Sequence, residues 1–252
     1  MPFCADVHRF ESAASTNDLA RALALEGAAH GTAVLAREQT RGRGTKGRAW
    51  HSPAGLGLYA SFILRGPEGG PMPSPHLLPL ALGLAASDAI LEAAGVESRL
   101  KWPNDILFGG RKLGGILCEG AGAGAAGGFI VAGLGLNVGH TASDFPDELR
   151  ETATSLRLAA GRDIPFALLW EALCRALERW YNILARGDKD AIVVAFGSRS
   201  AFSPGETVRV ETAGGAYEAA HEGLDPEGRL VVRRAGGERV ALDAVLGLEP
   251  AR

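Results

Sequence analysis

The stretch from Gly42 to Trp50 reads G-R-G-T-K-G-R-A-W and lies between two apolar runs, Thr32–Glu38 and Leu58–Leu64. Each run has the length and composition of a buried strand. The segment between them has too much glycine for a helix interior or a strand. It is therefore a long connection within a hairpin-like unit. Glycine permits positive φ and lets the backbone approach a neighbour closely. Arg43, Lys46 and Arg48 crowd positive charge onto the same loop. Backbone N–H groups and guanidinium forks in such a loop suit an anionic group. A solvated basic surface loop has the same composition, so the loop alone leaves both readings open.

Two later stretches bear on that choice: K-W-P-N-D-I-L at Lys101–Leu107 and K-L-G-G-I-L at Lys112–Leu117. In the first, Pro103 cannot donate to a strand ladder, so the strand begun at Leu100 stops there. Asn104 and Asp105 are delivered at its end, either as binding groups or as an Asx-type turn beside a solvated Lys101. In the second, Gly114 and Gly115 allow close backbone approach next to Lys112.

The rest of the chain supplies alternating strands and helices. Val7 and Phe10 read as part of an edge strand. Ser15-Thr16-Asn17 precedes a helical run through Leu19, Ala20, Leu23 and Ala24 to Gly27, the chemistry of a capped helix. Gln39 stands at the exit of the strand before the basic loop. Residues 66–75 read as an exposed turn and His76–Ala94 as a core helix ending at Gly95. Phe129–Val138 reads as a further buried strand. Gly122, Gly124 and Gly127 spell G-x-G-x-x-G, but they join two strands with no following helix, so the dinucleotide reading fails on context. Asp163 is expected to cap a helix running to Gly187, with Pro165 in its first turn and Trp170, Trp180 and Tyr181 in the core. A short helix is expected over Asp188–Phe196. From Ser203-Pro204-Gly205 onward the pattern changes. Short alternating runs at Thr207–Glu211, Ala216–His221, Arg229–Arg234 and Arg239–Leu242 are separated by glycine- and proline-rich turns, which predicts a small antiparallel barrel.

Composition bounds the function. The 252 residues suffice for one large domain, or one large and one small, and the net charge of −3 gives no general attraction to nucleic acid. Any anion site is therefore local. Cys4, Cys118 and Cys174 are odd in number and widely spaced, which fits neither a disulfide framework nor a zinc site and suits a reducing cytoplasm. No signal peptide is evident and no stretch is expected to span a membrane.

In this order and spacing, S-T-N, G-R-G-T-K-G-R-A-W, K-W-P-N-D and K-L-G-G-I-L resemble the catalytic core of biotin protein ligases, over roughly residues 10–250. The resemblance implies an α+β fold: a mixed β-sheet with packed helices over residues 1–200, followed by an SH3-like β-barrel over 203–252. It implies ATP-dependent activation of biotin to biotinyl-5'-AMP and transfer to a lysine of a biotin carboxyl carrier protein, as in acetyl-CoA carboxylase. ATP with Mg²⁺ and biotin are then the bound small molecules. Ser15, Thr16, Asn17 and Gln39 fall on family contacts to biotin or its adenylate. So do Gly42, Arg43, Gly44 and Thr45 in the loop, and Lys112, Gly114 and Gly115 after it. Lys112 and Arg48 are the implied catalytic cations, with Arg43, Arg48, Asn104 and Asn137 facing the nucleotide. No metal ligand is assigned beyond Asp105, which could help hold Mg²⁺. Two anions must meet in the first step, so concentrated and preorganised positive charge is the chemistry required.

One position departs from the family pattern G-R-G-R-x-G-R: Thr45 stands where a guanidinium is usual, which puts retention of the adenylate in question. The alternatives are a lipoate or octanoate ligase of the same superfamily, a non-catalytic biotin-binding module, and a biotin-responsive repressor. The first lacks the G-R-G-x-x-G-R-x-W string, and an intact Lys112 speaks against the second. Too few residues precede Ser15 for a helix-turn-helix, so no DNA partner is expected. No membrane partner is expected either, and the family likeness with exposed strand edges implies a homodimer.

Overall fold

The computed structural model describes residues 3–121 and 128–251. Its first unit is built from β1 (Val7–Ala13), α1 (Thr16–Leu25), β2 (Ala33–Gln39), β3 (Gly57–Arg65), α2 (Leu78–Ala94), β4 (Arg99–Lys101), β5 (Asp105–Phe108), β6 (Arg111–Ala121) and β7 (Phe129–Asn137). Helices α3 (Leu156–Ala160), α4 (Phe166–Ala185) and α5 (Lys189–Ser198) follow. The strands form a 7-stranded sheet in the order β1-β2-β3-β7-β6-β5-β4. β1 runs parallel to β2, and the remaining neighbours are antiparallel, so the sheet is mixed. The two runs that flank the basic loop pair with each other, Ala33 opposite Phe62 and Ala36 opposite Tyr59.

Side chains alternate across a strand, so each strand serves two faces. Leu58, Ala60, Phe62 and Leu64 of β3 join α2 and α4 in the main core, where Phe62 stacks on Trp170 at 6.0 Å. On the opposite face Val34, Ile63, Phe129 and Val131 pack under Ala20 and Ala24 of α1. Helix α1 covers only one end of that face. Its first turn lies over Ser61 and Gly133, and beyond it, at Gly135 and Gly115, Trp50 of the basic loop lies against the sheet.

Helix α2 is the central buried helix and ends at Gly95 in the left-handed region (φ 70°). By length and composition alone, Pro75–Ala94 is apolar enough to cross a membrane, contrary to the sequence expectation, but 72% of that window is buried inside the protein. Its apolarity reflects a helix covered on nearly all sides. The expected G-x-G-x-x-G turn at Gly122, Gly124 and Gly127 lies outside the described residues.

The C-terminal strands are β8 (Thr207–Thr212), β9 (Gly215–Leu224), β10 (Leu230–Arg234), β11 (Arg239–Leu242) and β12 (Gly247–Pro250). They form a 5-stranded sheet in the order β11-β10-β9-β8-β12. The expected SH3-like β-barrel is not there: among the described residues, β11 and β12 are opposite edges and do not pair. The physical reason is the neighbour. Val208, Val210, Leu230, Val232 and Leu248 bury into the same core as Leu77, Leu100 and Trp102, so the sheet covers its apolar face without closing on itself. Trp102 Nε1 donates to the Gly228 carbonyl at 2.9 Å, which ties the turn before β10 to the end of β4.

Two helix starts differ in how they are capped. Asp163 does not cap α4; it faces Arg157 at 3.4 Å, and the helix begins after Pro165, whose ring sets the entry angle. Asp188 caps α5, accepting from the Ala191 N–H at 3.1 Å. Asp188→Ala is therefore expected to cost about 0.5–2 kcal/mol in chemical denaturation, against a change within about 0.5 kcal/mol for Asp163→Ala.

Candidate active site

The uncovered face of the sheet forms one wall of a cavity of about 460 Å³, whose other walls are the start of α1, the basic loop and the segment around Phe145–Ala153. The cavity exists because β6 and β7 carry glycine where its occupants press closest. A Cβ on Gly133 would sit 2.3 Å from Asn17 Oδ1, and one on Gly135 would sit 2.5 Å from Trp50 Nε1. A Cβ on Gly115 would meet Lys112 Cε at 3.3 Å and the Trp50 ring at 3.4 Å. Gly133, Gly135 and Asn137 alternate along one face of β7, so two missing side chains make a shelf that ends at a polar group.

One end of the cavity is polar and hydrogen-bonded. Ser15 starts α1 without a side-chain cap, so its hydroxyl is not engaged as the sequence predicted. Thr16 donates to Gln39 Oε1 from both its backbone N (2.9 Å) and its hydroxyl (3.1 Å), and Gln39 Nε2 donates to Ser52 Oγ at 3.0 Å. Asn17 Nδ2 donates to Glu119 Oε2 at 2.6 Å and to the Leu117 carbonyl at 3.3 Å, while its Oδ1 accepts from Ser61 Oγ at 2.6 Å. Arg43 closes this end with a two-pronged bond to Asp18, 2.7 Å on each side, and a longer contact of 3.4 Å to Glu119. The Arg43 hydrogen bond holds the Asp18 carboxyl below its usual range.

The other end is ionic. Lys112 Nζ lies 2.6 Å from Asp105 Oδ1 and 5.6 Å from the centre of the Trp50 ring. Asp105 also faces Lys101 at 3.7 Å, and Lys101 reaches Glu249 of β12 at 2.9 Å. Asn104 donates to the Ile116 carbonyl at 2.8 Å, which fixes the turn after Pro103 against β6. Asn137 donates to the carbonyls of Thr154 (2.9 Å) and Lys112 (3.4 Å), so it joins the start of β6 to the segment before α3. His51 Nε2 lies 3.1 Å from the Asp144 carbonyl, linking the basic loop to that segment.

Within the loop, Thr45 and Arg48 line the cavity, whereas Lys46 turns away and donates to the carbonyls of Leu246 (2.7 Å) and Val245. Lys46 takes up φ 60° to do so, an uncommon conformation for a residue with a side chain.

Most of the residues singled out from sequence meet at this cavity: Ser15, Thr16, Asn17, Gln39, Arg43, Gly44, Thr45, Arg48, Asn104, Lys112, Gly115 and Asn137. Two do not. Gly42 packs behind the wall, where a Cβ would lie 2.6 Å from Ser52 Oγ and from the Trp50 carbonyl. Gly114 faces Leu136 and the Gly135 carbonyl, on the core side of β6. Sequence reasoning missed Ser61, Glu119, Gly133, Gly135, His51 and Glu249. The alternation of Gly133, Gly135 and Asn137 in a strand was a readable signal, whereas nothing local marks Glu249. Gly135→Ala is expected to destabilise by about 1–3 kcal/mol in chemical denaturation through the clash with Trp50. Gly139→Ala, whose added methyl would meet Leu56 at an ordinary 3.8 Å, is expected to be near neutral.

Comparison with known proteins agrees with this geometry. Residues 10–137 match the Biotin/lipoate A/B protein ligase family, and residues 205–244 match the Biotin protein ligase C terminal domain. The chain is 34% identical over 230 residues to the biotin--[acetyl-CoA-carboxylase] ligase of Paracoccus denitrificans, covering 90% of this chain and 93% of that one. It is 37% identical over 223 residues to the bifunctional ligase/repressor BirA of Bacillus subtilis, covering 88% of this chain and 68% of the relative. The biotin protein ligase of Aquifex aeolicus, solved in complex with biotin and ATP, superposes with a TM-score of 0.82 at 26% identity, over 98% of this chain and 100% of that one. With the family model spanning the sheet that carries the site, and relatives aligned along most of both chains, this chain belongs to the biotin protein ligases.

Proposed function

We propose the following roles in the reaction this chain catalyses, the ATP-dependent activation of biotin to biotinyl-AMP and its transfer to a lysine of a carrier protein. The observation that carries them is one continuous cavity with a hydrogen-bonding end at Asn17 and Gln39 and a cationic end at Lys112. Biotin's ureido ring sits at the first end, and its carboxylate points to the second. The carboxylate oxygen attacks the α-phosphate, the bond to the β-phosphate breaks, and pyrophosphate leaves. Lys112 stands between the two anions and stabilises the charge that accumulates as they meet. Asp105 and the Trp50 ring keep its ammonium group in place before the substrates arrive. Arg48 faces the phosphates, Asn104 fixes the strand end beneath them, and Asn137 holds the backbone of Lys112. In the second step the acceptor's amine attacks the acyl carbon and AMP leaves.

Mg²⁺ enters with the phosphates of ATP. Among the described residues no group of three or more His, Cys, Asp or Glu could cage a metal, and Asp105 is already paired with two lysines. The donor set therefore fits an ion carried by the nucleotide better than one resident in the protein. The acceptor is a biotin carboxyl carrier protein, a reading supported by the name of the Paracoccus denitrificans relative. We place the reaction in the cytoplasm and assign it no DNA or membrane partner. Self-association would use the free edge of β1.

ATP–pyrophosphate exchange measured with biotin and with lipoate tests the substrate: exchange stimulated by lipoate rather than biotin would overturn it. Lys112→Ala is expected to fold, because Asp105 keeps Lys101 and the Lys112 side chain is one-third exposed. Its exchange rate is expected to fall about 10²–10³-fold.

The second expectation concerns Thr45. It offers one neutral donor where an arginine would make charge-assisted bonds, and Lys46 beside it is occupied with the β12 segment. An ionic hydrogen bond is worth about 1.5–3 kcal/mol, so Thr45→Arg is expected to slow escape of biotinyl-AMP about tenfold or more. Single-turnover release without acceptor measures this, and equal rates would mean that the loop compensates.

A further inference from the structure

The basic loop is fastened on two sides. On one side Arg43 rests on Asp18 at the start of α1. On the other, Lys46 Nζ donates to the carbonyls of Leu246, at 2.7 Å, and of Val245, in the segment that leads into β12. Those carbonyls are themselves fixed. Val245 is buried in the main core. The Leu246 N–H donates to the Glu211 carbonyl of β8 at 2.6 Å, and from Gly247 onward β12 pairs with β8. The far end of the loop is therefore tied to the C-terminal sheet.

The backbone is shaped around this tie. Lys46 stands at φ 60° and Gly47 at φ 71°, both in the left-handed region, so the chain turns sharply between Thr45 and Arg48. Those two line the cavity, while the lysine between them reaches outward. Glycine enters the left-handed region freely, and a residue with a side chain does so only under constraint. The constraint here is the pair of carbonyls. The ammonium group does not share Asp105, which is taken by Lys101 and Lys112. To touch an anion inside the cavity, Lys46 would have to break both bonds and turn its backbone over. Its place in the structure is outside the chemistry.

We infer that Lys46 is a positioning residue for the acyl-adenylate intermediate: it clasps the basic loop to the C-terminal sheet, holds Thr45 and Arg48 over the cavity, and slows escape of an intermediate held beneath them. It acts through the loop backbone and touches no reacting group. This rests on the reading of the cavity as the place where biotinyl-AMP forms. The clasp is present without ligand, so it orders the loop before the intermediate exists.

The test makes two measurements on the full chain, comparing wild type with Lys46→Asn and Lys46→Arg. Asparagine accepts the left-handed conformation more readily than lysine but is too short to reach either carbonyl. Arginine keeps N–H donors at the end of a long side chain. The first measurement is cleavage of the ligand-free protein by an arginine-specific protease, whose sites in the loop, Arg41, Arg43 and Arg48, are the same in wild type and Lys46→Asn. Lys46→Asn is expected to be cut there about tenfold faster, because cleavage follows the population of the lifted loop. The second is single-turnover release of biotinyl-AMP without acceptor. Release is expected to be about fivefold faster or more from Lys46→Asn, and near wild type from Lys46→Arg. Equal cleavage of the two ligand-free loops overturns the inference even where release changes, since a lysine acting directly on the intermediate would alter release alone. Faster cleavage with unchanged release also overturns it, because the clasp then orders the loop without retaining anything. Both of those results leave the reading of the cavity intact. A wild type that forms no adenylate from biotin and ATP overturns the inference together with the reading beneath it.

Discussion

The site depends on side chains that are missing. Packed interiors tolerate no empty volume larger than a small group, so a cavity inside a sheet-and-helix fold needs positions where the sheet contributes only backbone. Gly115, Gly133 and Gly135 are those positions: they let Lys112, Asn17 and Trp50 lie directly against the strands and line the cavity instead of standing off into it. Three residues from three distant parts of the chain thereby share one surface, and their mutual geometry is set by a rigid sheet rather than by loop conformation.

Collecting cations in a half-buried space raises a second problem, because like charges near each other in a medium of reduced dielectric repel by several kcal/mol. Each site cation therefore meets an oxygen acceptor. Arg43 rests on Asp18, Lys112 and Lys101 share Asp105, and Lys46 turns onto backbone carbonyls. The loop is held in place before any anion arrives. A phosphate entering the cavity competes with Asp105 for a lysine already aimed at it, rather than recruiting a mobile side chain from solvent.

How much of this could be read from sequence follows from the range of each interaction. The strands beside the basic loop and the helix cores were visible because periodicity is local, whereas the meeting of S-T-N, G-R-G and K-L-G-G was implied only by the family resemblance. The cap at Asp163 failed because Pro165 sets the helix start and leaves the acid to Arg157. The barrel failed because short alternating strands look the same whether a sheet closes on itself or lies on a neighbour. Only the shared core with Leu77 and Trp102 distinguishes the two. Gly42 and Gly114 were placed at the ligand because glycine in a motif marks close approach without saying to what; here it is to Trp50 and Leu136. Glu119 and Glu249 were missed for the opposite reason: their partners lie 102 and 148 residues away, and no pattern along the chain connects them.

The bond from Lys46 to the carbonyls before β12 spans about 200 residues of sequence. On a ribosome, the sheet that carries Lys112 and the helix that carries Asn17 can assemble once Asn137 has emerged, with Arg43 already on Asp18, but Lys46 finds its carbonyls only when Leu246 follows. Between those moments the nascent protein owns a floor whose roof is fastened along one side only. Val245 and Leu246 thus act as a late stitch on the Lys46 side of the loop, whose Arg43 side is fastened long before.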